Sequence, residues 1–148
     1  MSLITDAIFV LALRSNAALM SQLPAGDVYN TAIALPDEDA DNAPVPYIIV
    51  SFNGLNNQDT TKDMNFDGLT DMVTIGIEIA AETRSQLAEL AITVRNTIRD
   101  YFQQLTPQDE DYALLPNAYT MQAQPVQYDS LKPCYWQQLT FMCDTNPD

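Results

Sequence analysis

Histidine is absent from this 148-residue chain, and cysteine, glycine and basic residues are scarce. The missing histidine removes the commonest general base, the Ser/His and Cys/His catalytic pairs and most zinc sites. The 4 glycines are dispersed, so they do not form a phosphate-binding loop. We therefore predict that the chain is not an enzyme and carries no cofactor.

Basic residues number 6 against 20 acidic ones, which gives a net charge of -14. The basic residues are scattered along the chain, without any run that would neutralise phosphates. This composition predicts a soluble, acidic surface that repels DNA. We expect no nucleic-acid partner bound by direct charge attraction.

Long hydrophobic runs are also missing. The apolar run near the N-terminus, from Ala7 to Leu13, falls far short of the ~18–20 residues that a membrane span requires. The first charge is Asp6, whereas a signal peptide begins with a basic segment. The sequence instead predicts a buried helix from about Leu3 to Leu23, capped by Ser2 or Thr5. The apolar residues at positions 3, 4, 7, 8, 11 and 19 have the spacing of one helix face.

The two cysteines, Cys134 and Cys143, mark the ends of a predicted strand. At ~3.4 Å per residue they would lie about 30 Å apart and on opposite faces. A disulfide requires Cα atoms within ~7 Å, so we expect two reduced thiols and synthesis inside the cell. Because we identify no cationic partner that would make Cys134 a reactive thiolate, a packed cysteine is expected there.

Alternating patterns predict strands at 46–54, 70–81, 119–128 and 134–143, with a further short edge strand within GDVYNTAIAL. The first two strands would form a hairpin joined by a long polar arm. Pro125 assigns the strand 119–128 to an edge or a bulge, because proline cannot donate to a central ladder.

The clearest helical pattern runs from Arg84 to about Leu105. Thr83 and Gln86 fit a capping box at its start. Its apolar stripe is Leu87, Leu90, Ala91, Val94, Ile98, Phe102 and Leu105. The predicted order is α-β-β-β-α-β-β, which indicates a single α+β domain, 1–148, with an antiparallel sheet packed by two helices.

The stretch DMNFDGLTD at 63–71 matches the first half of an EF-hand calcium loop. The candidate ligands are Asp63, Asn65, Asp67 and Asp71. Thr74 stands where the loop needs a bidentate glutamate, and neither flank is helical. The sequence favours a solvated turn whose Asn and Asp side chains bond their own backbone. A calcium-binding extracellular interaction module is the alternative function.

Two other acidic groups bear on function. One lies in a proline-flanked loop, where nothing makes the carboxylates converge; it comprises Asp37, Glu38, Asp39 and Asp41. The other, Glu78 with Glu82, could be viewed as an acid/base pair. Both residues fall on the polar side or at the end of a strand, where charges are routine, so no catalytic role is predicted.

A strand that runs directly into an amphipathic helix carries a resemblance to a known family. The strand is VTIGIEIAAET at 73–83 and the helix is LAELAITVRNTIRDYF at 87–102. This resembles the tail-terminator or tail-completion proteins of long-tailed bacteriophages and prophages, also called minor tail or head-tail joining proteins. The similarity covers about residues 3 to 105. The matching positions are Ala80, Ala81, Thr83, Leu87, Leu90, Ala91, Val94 and Arg95.

The resemblance implies a structural protein of virion assembly. Such proteins form a homo-oligomeric, hexameric ring that caps the tail tube and contacts the tail tube protein and head connector proteins. It also implies a location in the host cytoplasm during assembly and then in the virion. The net charge of -14 agrees with this role, because a lumen through which DNA slides should not bind phosphates.

Overall fold

The computed structural model describes residues 4–23, 28–30, 45–57, 71–104 and 118–145. The helices are α1 (Thr5–Arg14), α2 (Ala17–Met20) and α3 (Arg84–Gln104). The strands are β1 (Tyr29–Asn30), β2 (Tyr47–Asn57), β3 (Asp71–Ala81), β4 (Ala118–Ala123), β5 (Gln127–Asp129) and β6 (Cys134–Thr145). Helices packed on a largely antiparallel sheet confirm the predicted α+β fold class.

The strands form one sheet in the order β1-β2-β3-β6-β4, and β5 also pairs with β6. All pairings are antiparallel except that of β1, which runs parallel to β2 through two residues. β4 and β5 therefore share one edge of the sheet as described. The short strand expected in GDVYNTAIAL is β1, at the other edge.

β2 and β3 form the predicted hairpin and pair along their whole length. The register shifts between Phe52 and Gly54, so Asn53 is the extra residue of a β-bulge. Gly54 has a φ of 155°, a conformation that L side chains rarely adopt. The polar arm between the two strands lies outside the described residues.

Helix α3 confirms the predicted helix and most of its cap. The Gln86 N–H donates to Thr83 Oγ1 at 3.1 Å, and the Glu82 N–H donates to Gln86 Oε1 at 3.4 Å. The residues of the predicted stripe that the structure describes are buried or partly buried against the sheet. They meet the aliphatic side of β3, formed by Val73, Ile75, Ile77 and Ile79. Leu105 lies outside the described residues.

Helices α1 and α2 replace the single N-terminal helix predicted from Leu3 to Leu23, so that prediction was wrong. The chain leaves the helical conformation at Asn16, whose Oδ1 accepts the Leu19 N–H at 3.0 Å and caps α2. Asparagine competes with the helical ladder in this way, which favours a helix start over a helix interior. The N-cap of α1 is Ile4 rather than Thr5, without a side-chain hydrogen bond.

The buried face of α1 also differs from the predicted one. Ile4 and Leu11, which the spacing assigned to the core, are 42% and 58% exposed. Apolar side chains surround this helix, so helical spacing fits more than one face. Phe9 selects the face, because its ring packs edge-on against Phe102 and Phe141 with centroids 5.5 and 5.3 Å away.

The predicted strand 119–128 is divided into β4 and β5 around Pro125. The register between β4 and β6 continues one residue beyond the end of β4, since the Gln124 N–H donates to the Gln138 carbonyl at 2.9 Å. The edge position expected from Pro125 is confirmed. None of the helices that the structure describes combines the length and apolar character needed to cross a membrane.

Candidate functional site on the open face of the sheet

The sheet has a covered face and an open face. The helices pack on the side of the buried aliphatic residues of β3 and β6. Because strand side chains alternate, every second residue points to the other side, where none of the described helices lies. We call this side the open face. It carries Tyr47, Ile49, Ser51, Met72, Thr74, Glu78, Trp136, Gln138, Thr140 and Met142.

A groove of about 590 Å³ lies on the open face beside the turn between β5 and β6. We call it the Tyr47 groove. Strand β2 supplies Tyr47 and β3 supplies Glu78. The end of β5, the following turn and the start of β6 supply the rest. Its walls are Tyr47, Glu78, Asp129, Leu131, Lys132, Cys134 and Trp136.

Tyr47 and Glu78 form the central contact of the Tyr47 groove. The Tyr47 hydroxyl donates to Glu78 Oε2 at 2.9 Å. Burial, followed by the negative charge of Glu78, raises the pKa of Tyr47. The phenol therefore stays protonated near neutral pH and acts as a hydrogen-bond donor. Lys132 Nζ lies 5.4 Å from the centroid of the same ring, within the range of a cation–π contact.

The turn that ends the Tyr47 groove is held by Asp129. Its Oδ1 accepts the N–H of Leu131 at 3.0 Å and the N–H of Lys132 at 3.4 Å. A side chain that bonds the backbone two and three residues on is a common way to stabilise a turn. Leu131 at the tip is 97% exposed.

Cys134 lies in the Tyr47 groove with a buried thiol. Burial raises the pKa of this thiol, the carboxylates of Asp129 and Glu78 raise it further, and Lys132 opposes them. The packed cysteine expected at this position is confirmed, although the turn returns Lys132 to the groove as a nearby cation. The net shift still leaves a protonated thiol, which is a poor nucleophile.

Cys143 lies at the other end of β6 and belongs to the buried core. Burial raises the pKa of its thiol to about 12. Both cysteines are free, as predicted. One strand holds them apart, and they lie on opposite faces because their positions in β6 differ by nine, an odd number.

Glu78 and Glu82 are not brought together as an acid/base pair. Glu78 lines the Tyr47 groove, whereas Glu82 is exposed in the turn between β3 and α3 and is not part of the groove wall. The local pattern missed the actual neighbours of Glu78. Alternation placed Glu78 on the polar side of β3, but only the pairing with β2 and β6 shows which side chains surround it.

The candidate calcium ligands Asp63, Asn65 and Asp67 lie outside the described residues, as does the acidic cluster at 37–41. Asp71 is described and begins β3, where it is 5% exposed. Its backbone carbonyl accepts the Thr145 hydroxyl at 3.5 Å. Within the described ranges, no group of three or more acidic or cysteine residues is arranged to hold a metal ion.

Polar side chains lie over Gly76 near the centre of the open face. Ser51 Oγ lies 3.0 Å from Asn53 Oδ1 and donates toward the Gly76 carbonyl at 3.3 Å. A Cβ at position 76 would approach Asn53, Gln138 and Ser51 atoms to 2.5, 2.8 and 2.9 Å. A side chain at position 76 would therefore displace these three polar side chains, whereas the backbone conformation of Gly76 does not itself demand glycine.

No model of a known protein family matches this chain, and no curated protein matches it.

Proposed function

We propose that this chain is a structural protein of bacteriophage or prophage virion assembly. In this role it is one subunit of a ring that terminates the tail tube or joins the tail to the head. The supporting observation is the continuous unit formed by β3 and α3. β3 ends at Ala81, Thr83 caps α3, and the stripe that begins at Leu87 packs on the sheet. These are the residues that carry the family resemblance.

The chemistry of the Tyr47 groove supports a structural role. Tyr47 and Cys134 supply the hydroxyl and the thiol of this groove, and burial raises the pKa of both. Neither supplies an anion near neutral pH. The remaining walls are an aromatic ring, an aliphatic tip and charged side chains, which suit contacts with another protein surface.

The net charge of -14 supports a position beside moving DNA. A surface of this sign repels phosphates instead of retaining them. A ring subunit with this charge would therefore let DNA pass along its lumen. The same charge requires that contacts between subunits form through surfaces with few acidic residues.

Removal of the gene from the encoding phage or prophage genome tests the proposal. We expect tail tubes of irregular length and tails without heads in electron micrographs, because nothing stops tube growth or bridges the joint. A plasmid copy of the wild-type gene should restore uniform, joined particles. Normal particles in the deletion strain would contradict the proposal.

Calorimetry separates this role from that of a calcium-dependent interaction module. The structural role predicts no heat of binding with millimolar calcium. A micromolar isotherm that Asp67→Ala abolishes would favour the calcium module instead. Asp100→Ala is the matched control, since Asp100 is exposed on α3 and pairs with Arg99.

A further inference from the structure

We propose that the outer edge of β4 pairs with a strand from a second copy of this chain, so that the sheet continues across the subunit boundary. The inference rests on the homo-oligomer of the proposed function and assigns its contact surface. β4 lies at the end of the sheet path, and β6 is the one strand paired with it in the described part of the chain.

Alternation along β4 identifies the backbone groups that face outward. The Gln124 N–H donates to the Gln138 carbonyl, and the same register continues back to Ala118. In an antiparallel pair, hydrogen-bonded and non-hydrogen-bonded positions alternate. Gln122 and Thr120 therefore bond to β6 through their backbones. The N–H and C=O groups of the alternate residues Tyr119, Met121 and Ala123 point to the outer edge.

Within the described residues, β4 carries none of the sequence features by which proteins prevent edge pairing. Its sequence, AYTMQA, contains no charge and no proline, and its register with β6 has no bulge. The neighbouring prolines, Pro116 and Pro125, stand before and after the strand in the sequence. An unprotected edge of this kind adds an extended strand through main-chain hydrogen bonds.

The uncharged surroundings of β4 favour a second copy of the same chain as the source of the added strand. Two copies with a net charge of -14 repel each other, so they can meet only where carboxylates are few. Residues 112–128 contain no charged side chain, and β4 lies within this run. A basic partner would instead be expected to dock on acidic residues.

The open face beside β4 offers apolar contact to an added strand. A hollow of about 170 Å³ is lined there by Met72, Tyr119, Thr120, Met142 and Asp144. Met142 on this face is 43% exposed. An added strand would lie beside the wall of this hollow that β4 forms through Tyr119 and Thr120.

Two lysines placed on β4 test the inference. Thr120→Lys with Gln122→Lys adds charge to exposed positions of the edge, while their backbone bonds to β6 remain. Gln103→Lys with Gln104→Lys is the control, since both residues are exposed on α3. Each double variant adds two positive charges and so changes the net charge from -14 to -12. The smaller repulsion would by itself favour assembly in both.

Sedimentation across a concentration series, alone and with tail tubes from the encoding phage, gives the readout. We expect the wild type and the α3 control to assemble, and the dissociation constant of the β4 variant to rise at least tenfold. Hydrogen exchange should also slow at the Tyr119, Met121 and Ala123 amides on assembly. Equal urea unfolding of all three proteins would show that the fold is intact.

The outcomes separate the two proposals. If the β4 variant assembles as well as the control, or if the three amides exchange equally fast in the assembled state, the edge inference is overturned and the proposed function stands. If the wild type forms no oligomer either alone or on tail tubes, both are overturned. If a β4 variant fails to fold, the amide exchange of the wild type alone decides.

Discussion

The Tyr47 hydroxyl and the Glu78 carboxylate meet at 2.9 Å across β2 and β3, on the side of the sheet that the helices leave open. The register pairs Tyr47 and Trp136 with the same residue, Ala80, which is fully buried although it belongs to the open face. Large side chains from both neighbouring strands thus shield the backbone at this end of β3. The Tyr47 groove is built on this cross-strand arrangement.

Tyr47→Phe should lower the free energy of unfolding by about 1 kcal/mol near neutral pH, because a hydrogen bond to a carboxylate is lost. The folded state raises the pKa of Tyr47 above the value of ~10 in the unfolded chain. The corresponding stability is present below pH ~10 and is lost as pH rises above it. The advantage of the wild type over the variant should therefore shrink in urea titrations at alkaline pH.

Tyr128→Phe is the control for the Tyr47 prediction, because its side chain is 56% exposed and makes a ring contact with Tyr135 instead of a bond to a carboxylate. If the difference in the free energy of unfolding between the wild type and Tyr47→Phe increased with pH, the prediction would be contradicted. A buried, protonated phenol requires this difference to decrease.

Asn16 and Thr97 should prove energetically coupled. Asn16 Nδ2 donates to Thr97 Oγ1 at 2.8 Å, and this bond joins the start of α2 to α3. Asn16→Ala removes it together with the α2 cap, at a cost of about 1–2 kcal/mol. In a double-mutant cycle with Thr97→Val, measured by urea unfolding, we expect a coupling energy of about 0.5–1 kcal/mol. Strict additivity would mean that the bond contributes nothing.

Phe9→Ala and Leu11→Ala report which face of α1 is buried. Phe9 is fully buried between two aromatic rings, so its truncation should cost about 3–5 kcal/mol. Leu11 is 58% exposed, and its truncation should change the free energy of unfolding by less than about 0.5 kcal/mol. Thermal or urea unfolding of the two variants measures these losses and so decides which face of α1 is buried. Comparable losses, or a larger loss for Leu11→Ala, would reverse the face assignment.

Both thiols should resist an aromatic disulfide reagent in the folded protein near neutral pH. Each cysteine is buried, and burial raises the pKa of both thiols, that of Cys143 to about 12. Almost no thiolate is then present to react. Added denaturant should release both thiols together. Cys134→Ser and Cys143→Ser identify each signal, and rapid reaction at either position in the native protein would contradict this packing.

A comparison of α1 and α3 shows when the local sequence pattern predicts the buried face of a helix. In α3 most apolar positions form one stripe, Ile92 being exposed, and the charged residues lie elsewhere, so helical periodicity favours a single buried face. In α1 the charged residues are few and apolar residues surround the axis, so the same rule offered two solutions and the wrong one was chosen. The split at Asn16 was missed because a continuous apolar pattern hid a capping residue.

The Tyr47 groove was not predicted, for a different physical reason. Glu78 was noted as a polar position on a strand, and its hydrogen bond partner lies 31 residues away. Lys132 returns toward Tyr47 only because the turn held by Asp129 folds back. A local sequence pattern does not predict which side chains of different strands become neighbours, since this depends on the register between the strands.

From its amino acids alone, the chain specified a mixed α+β architecture, the aliphatic side of β3 and the inward stripe of α3, because each follows from the spacing of neighbouring residues. Tertiary packing decided which side of α1 is buried and which side chains gather around Tyr47. Those outcomes depend on contacts between segments distant in sequence. Alternative helix faces and strand registers differ in energy only when the neighbouring helices and strands are packed against them.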